Sequence, residues 1–226
     1  MGVRVPWGPW WLGTRPPRKL DPRGFLGTDR PIHLLIDSTG LRIHVGHLRK
    51  PPKNRAWRKL HLAVDARTGE IVGSDLTGRR TADCARVPVL IEQIDDRIAS
   101  VSADGAYDAA AVYEAAQVKG EGHAVRVLIP PGREAQLNPR PSAAQYSKER
   151  NRNIRSIREL GRRKWHTRSG YSTRSLVENT VFRYKTMIGR SIRSRTFDGQ
   201  RVEVRLASAI LNTMTRLGMP DSYRVA

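Results

Sequence analysis

Residues 171–185 read YSTRSLVENTVFRYK. Taken as a helix, with successive residues 100° apart, Tyr171, Arg174, Glu178 and Lys185 fall at offsets of three, four and seven and share one stripe. Val177, Val181, Tyr184 and Ile188 follow the same offsets on a neighbouring stripe. One face can therefore enter a core while the face beside it presents a carboxylate flanked by cations. From this stretch alone two readings of Glu178 stay open. It is either half of an exposed i,i+4 Arg–Glu pair, or an acid that holds metal beside phosphate-binding cations.

Upstream of it the chain alternates short apolar runs with acid and glycine corners. Residues 31–40, PIHLLIDSTG, give a buried-strand pattern over Ile32–Ile36 that ends on Asp37 and breaks at Gly40. Residues 57–65, WRKLHLAVD, give a second strand, and Glu70 opens a third after an Arg-Thr-Gly turn, so the two form a hairpin with Asp65 at its turn. Asp83 suits a helix N-cap or first turn, and Val87, Leu90, Ile91 and Ile94 keep helical spacing to about Asp96. Residues 98–108, IASVSADGAYD, give a fourth strand and a corner at Asp104. A helix from Ala109 to about Lys119 and a fifth strand at 124–129 follow, and a last amphipathic helix runs from about Gly199 to Leu217 with Leu206, Ile210, Met214 and Leu217 inward. This order predicts an α/β fold: a mixed β-sheet with helices packed on it.

Charge narrows the partner. Lys plus Arg number 41 against 21 for Asp plus Glu, a net +20 in 226 residues, which calls for a polyanion. The excess is clustered. Residues 132–170 carry Arg150, Arg152, Arg155, Arg158, Arg162, Arg163, Lys164 and Arg168 against Glu149 and Glu159, and Arg190, Arg193 and Arg195 form a second group. Such density suits phosphates. The single cysteine, Cys84, excludes an internal disulfide, and no Cys–His set has zinc spacing. No apolar run approaches 18 residues, so no membrane partner is expected.

Three acids stand out by context. Asp37 ends the first strand, Asp104 follows the fourth, and Glu178 lies on a late helix. Two acids at adjacent strand ends plus one from a facing helix can hold a pair of divalent cations, Mg2+ or Mn2+, for in-line phosphoryl displacement. The residues alone leave DNA and RNA both open as the polymer.

The spacing Tyr171-x2-Arg174-x3-Glu178-x6-Lys185 resembles the signature of DDE-class bacterial insertion-sequence transposases, most closely the insertion-sequence-five group. Residues 36–40 (IDSTG), 57–65, 103–108 (ADGAYD), 128–131 (LIPP), 197–201 (FDGQR) and 211–220 resemble that family in the same order, so the likeness spans roughly Pro31 to Ser222. It implies an RNase H-like mixed sheet flanked by helices, with a basic insertion before the last catalytic helix. It implies Asp37, Asp104 and Glu178 as catalytic and metal-binding residues, with two Mg2+ or Mn2+ ions. Tyr171, Arg174 and Lys185 would bind DNA phosphates near the cut or position Glu178, beside DNA contacts from Arg155, Arg158, Arg162, Arg163, Lys164 and Arg193 of the basic clusters. The implied reaction is cleavage of double-stranded DNA at element ends, then attack of the 3′-OH on target DNA, by a homo-oligomer in the bacterial cytoplasm at the nucleoid. The expected domains are a poorly ordered leader (1–30), a catalytic domain (31–220, with 132–170 as the DNA-contacting insertion) and a tail (221–226). The leader stands where that group carries an upstream segment, so an N-terminally truncated catalytic domain is expected. The alternatives are a catalytically silent DNA-binding relic and another RNase H-like nuclease.

Overall fold

The strand expected over Ile32–Ile36 runs on to Ile43. This strand, β1 (Ile32–Ile43), continues because both its faces are covered. Leu34 and Ile36 enter one core, and Leu35 and Leu41 enter the other. Asp37 is therefore not at a strand end, as its sequence context suggests, but mid-strand opposite Leu62. The computed structural model describes residues 31–44, 57–120, 122–138 and 145–218. The leader 1–30, most of the basic stretch between Arg42 and Arg58, and the tail 221–226 lie outside the described residues.

Around β1 the sheet has six strands. β2 (Trp57–Asp65) and β3 (Ile71–Gly78) form the expected antiparallel hairpin on one side. Asp65 closes its turn by accepting from the Arg67 and Thr68 amides and the Thr68 hydroxyl. On the other side β4 (Ile98–Ser102) runs parallel to β1, and β5 (Arg126–Leu128) runs parallel to β4. The two-residue β6 (Ser191–Ile192) pairs with the far end of β1. Helices α1 (Val87–Glu92) and α2 (Ala110–Val118) cover the face that carries Leu34 and Ile36. Helices α5 (Ser175–Arg183) and α6 (Phe197–Arg216) cover the face that carries Leu35 and Leu41. This mixed sheet flanked by helices is consistent with the expected RNase H-like fold. Among the described residues no helix is long and apolar enough to cross a membrane.

The basic segment 132–170 is more ordered than its polar composition suggests. It holds α3 (Gln145–Leu160) and α4 (Arg162–Ser169). Edge strand β5 explains why α3 docks. Asn153 Nδ2 donates to the Val127 carbonyl at 2.8 Å, and Glu149 Oε2 accepts from the Val127 amide at 3.5 Å. Both side chains are buried. They satisfy backbone groups that an open sheet edge would leave unpaired. Gly161 (φ 77°) and Gly170 (φ 82°) then turn the chain at the two ends of α4, in a region that favours glycine.

Two helical expectations need correction. Residues 171–188 do not form one α-helix. They run as a 3₁₀ turn (Tyr171–Arg174), then α5, then a five-residue π-turn (Tyr184–Ile188) that leaves Ile188 exposed while Tyr184 stays buried. The last helix faces the other way from its predicted orientation. Leu206, Ile210 and Leu217 are 60%, 44% and 69% exposed, and Val204, Ala207 and Leu211 are buried with Gln200 and Ser208. A polar anchor lies on the packed side: Asn212 donates to the Ile71 carbonyl and accepts from the Ile71 amide, both at 2.8 Å, which holds α6 against β3.

Leu211→Ala is expected to cost about 2–5 kcal/mol in denaturant unfolding, as for a large-to-small change in a packed core. Leu206→Ala is expected to stay within about 0.5 kcal/mol. The sequence-based orientation of α6 predicts the reverse order.

Candidate active site

Strand parity aims Asp37. It shares its side with Leu35 and Leu41, so its carboxylate points to the face covered by α5. Its Oδ1 accepts the Ser38 amide at 2.8 Å. Asp104 arrives from the adjacent parallel strand, two residues beyond Ser102. It caps the 3₁₀ turn Gly105–Tyr107 by accepting from the Ala106 amide at 2.8 Å. Glu178 comes from α5, exposed to solvent.

Arg174 ties this group together. Its Nη2 donates to Glu178 Oε1 at 2.7 Å, and its Nη1 lies 3.5 Å from Asp37 Oδ2. That Nη1 is buried and makes no hydrogen bond. The charges sense one another. Burial, first, pushes the Asp37 carboxyl above its ordinary range. The Ser38 amide and Arg174 pull it down, and the negative charges of Asp104 and Glu178 push it up again. Of the three acids singled out in the sequence, Asp37 and Glu178 share one guanidinium, and Asp104 bears on Asp37 through its charge.

Arg174 is aimed by an aromatic clamp. Tyr171 is expected to face DNA, but it is only 8% exposed and packs with Trp165 and Leu128. The Trp165 and Tyr171 ring centroids stand 5.3 Å apart. Tyr171 therefore anchors the 3₁₀ turn that carries Arg174 rather than lying open to a ligand. Lys185 is partly exposed in the π-turn.

The basic residues divide by what they already bind. Arg155, Arg163, Lys164 and Arg193 are exposed. Arg158 donates to the Ala135 carbonyl at 3.2 Å and Arg162 to the Pro131 carbonyl at 2.8 Å, so both also pin the 131–135 loop. Other charged and polar groups are paired away from the three acids. Arg150 Nε donates to both Asp108 oxygens at 3.1 Å, and Tyr113 donates to Asp108 at 2.9 Å. His61, across from Ser38 in the sheet, is buried and shares a 2.8 Å hydrogen bond with Thr77. Burial lowers its pKa to about 4. Asp83 stands at a 3₁₀ N-cap position but makes no cap bond; its carboxylate meets Lys59 at 3.1 Å.

Residues 28–213 match the family model described as the transposase DDE domain. The chain belongs to this family. No solved structure matches it. DDE transposases act on DNA and generally use divalent metal ions. The donor set fits such an ion in kind, since three carboxylates supply hard oxygens and their mutual repulsion calls for a cation. In the arrangement seen, the cation between Asp37 and Glu178 is the Arg174 guanidinium. Among the described residues no three Asp, Glu, His or Cys side chains are grouped closely enough to hold a metal ion.

A carboxyl whose pKa is raised on folding opposes folding once ionised. Stability from this group is greatest below its unfolded pKa and is lost as pH rises through the raised folded value. Asp37→Asn is therefore expected to unfold at a higher denaturant concentration than the parent at neutral pH. The gap should close as the buffer is acidified through the raised pKa of Asp37, and parallel denaturation midpoints across pH check both points.

Proposed function

We propose that this DDE domain catalyses metal-dependent cleavage at insertion-sequence ends and transfers the resulting 3′-OH into target DNA, in the manner of the insertion-sequence-five group. The observation that carries the reading is the Arg174 guanidinium held between Asp37 and Glu178, with Asp104 just beyond the adjacent parallel strand, on a strongly basic chain. Catalytic and metal-binding roles fall to these three acids. Residues 31–220 form the catalytic unit, with 132–170 as its DNA-contacting part.

Asp37, Asp104 and Glu178 would hold Mg2+ or Mn2+, two ions for an in-line displacement. Metal bound there would supply Lewis-acid activation of the scissile phosphate and lower the pKa of the attacking water. The chain's own residues do the rest. Arg155, Arg163, Lys164 and Arg193 neutralise the flanking phosphates, and Arg174 and Lys185 hold those nearest the acids. Asp37, on the central strand, keeps its place because both faces of β1 are packed. In cleavage, water oxygen bonds to phosphorus and the phosphorus–O3′ bond breaks, leaving a 3′-OH and a 5′-phosphate. In transfer, that 3′-OH oxygen bonds to a target phosphorus and the target's own O3′ departs with a proton. The uncovered apolar stripe of Val202, Leu206, Ile210 and Leu217 on α6 supports assembly of copies in the DNA complex. The site of action proposed is the nucleoid in the bacterial cytoplasm.

Asp37→Asn, Asp104→Asn and Glu178→Gln should each lower Mg2+-dependent nicking of a duplex carrying the element's terminal repeats. The loss should exceed the roughly 10–100-fold cost of losing an outer-shell partner of a metal site. Unchanged nicking in these variants would remove the assignment. Salt tests the cationic surface separately. Arg163→Gln and Lys164→Gln should each reduce the slope of log K against log salt by about one phosphate's worth, ~0.9. Equal slopes in parent and variants would show that these side chains do not meet the backbone.

A further inference from the structure

The Arg174 guanidinium stands where two of the three acids would share a cation. We propose that Arg174 is a built-in counter-ion that competes with divalent metal for Asp37 and Glu178. A DNA phosphate draws it away, so metal loading follows DNA binding. This rests on the metal-binding reading of the acids given above.

Four observations carry it. The guanidinium is held by Glu178 at 2.7 Å and lies 3.5 Å from Asp37, so it spans both carboxylates. A metal ion using the same oxygens would meet a fixed positive charge, since arginine does not lose its proton in proteins. The hold is incomplete. Nη1 is buried, and its contact with Asp37 Oδ2 at 3.5 Å is an ion pair without a hydrogen bond. A phosphate can offer both of its oxygens to the guanidinium fork, whose geometry it matches. The proposed exchange is a rotation of the Arg174 side chain, 18% exposed where it stands, from the last residue of a 3₁₀ turn that Tyr171 anchors on Trp165.

The coupling is reciprocal. If DNA raises metal affinity by some factor, metal raises DNA affinity by the same factor. Asp37 and Glu178 are thus partly compensated by Arg174 in the free protein and become metal ligands when the polymer is in place. Metal loading away from DNA, and stray hydrolysis with it, is suppressed.

The test reads metal binding, not turnover. Mn2+ is titrated into the full chain, and free Mn2+ is followed by its electron paramagnetic resonance signal. Without DNA, Arg174→Gln should bind Mn2+ about 5–150-fold more tightly than the parent, the usual range of a coupling between sites. Asp37→Asn placed in the same background should abolish that gain. Arg174→Lys keeps the charge but not the fork that spans both acids, so it should fall between the two. Adding mixed-sequence duplex should tighten Mn2+ binding by the parent and do little for Arg174→Gln. If both Arg174 variants bind Mn2+ no more tightly than the parent, while Asp37→Asn still weakens parental binding, the counter-ion role is overturned and the metal site stands. If Asp37→Asn changes Mn2+ binding in no protein, with or without duplex, the metal site itself falls, and the inference falls with it.

Discussion

A carboxylate in the middle of a strand packed on both faces is the constraint on which the rest of this structure depends. β1 buries Leu34 and Ile36 on one side and Leu35 and Leu41 on the other. Asp37 stands between these layers, partly desolvated and carrying a raised pKa. Such a group needs positive charge and donors close by. The Ser38 amide supplies one donor and Arg174 supplies the charge. The position is rigid because the strand that bears it is held by β2 on one side and β4 on the other.

Elements far from the acids serve to deliver Arg174. Asn153 and Glu149 fasten α3 to the edge of β5, which fixes the start of the path. Glycines at 161 and 170 turn the chain at either end of α4. Trp165 and Tyr171 then clamp the 3₁₀ turn beside Leu128. The loop-binding bonds of Arg158 and Arg162 brace the same region from outside. The polar inner face of the basic segment closes a sheet edge, while Arg155, Arg163 and Lys164 stay exposed. Buried polar residues on an otherwise charged helix are what such an edge requires.

Much of this was legible in the chain. The hairpin around Asp65, the strand that carries Asp37, the strand that precedes Asp104 and a helix around Glu178 all follow from local period and turn chemistry. What the sequence misplaces depends on contacts across space. Helical spacing offers two apolar faces on α6, and the one with Val204, Ala207 and Leu211 meets the sheet while Leu206 and Ile210 stay exposed. Tyr171 was placed with its polar neighbours on one stripe. The stretch begins as a 3₁₀ turn, however, and its ring enters a cluster with Trp165. Nothing local marks Asn153 and Glu149 as buried, because the carbonyl and amide they satisfy belong to a strand more than twenty residues away.

The sequence by itself determined the charge, the acids and the alternation of strands and helices, since these rest on residue identity and on contacts within a few positions. It also carried enough ordered motifs to show the likeness to DDE transposases. Only the tertiary structure decided that Asp37 lies within β1 rather than at its end, that Tyr171 is a pillar, and that a guanidinium separates two of the acids. Those outcomes depend on which surfaces meet across the sheet. Burial and Coulomb energy are set by neighbours in space, and a sequence pattern specifies a face without specifying what will cover it.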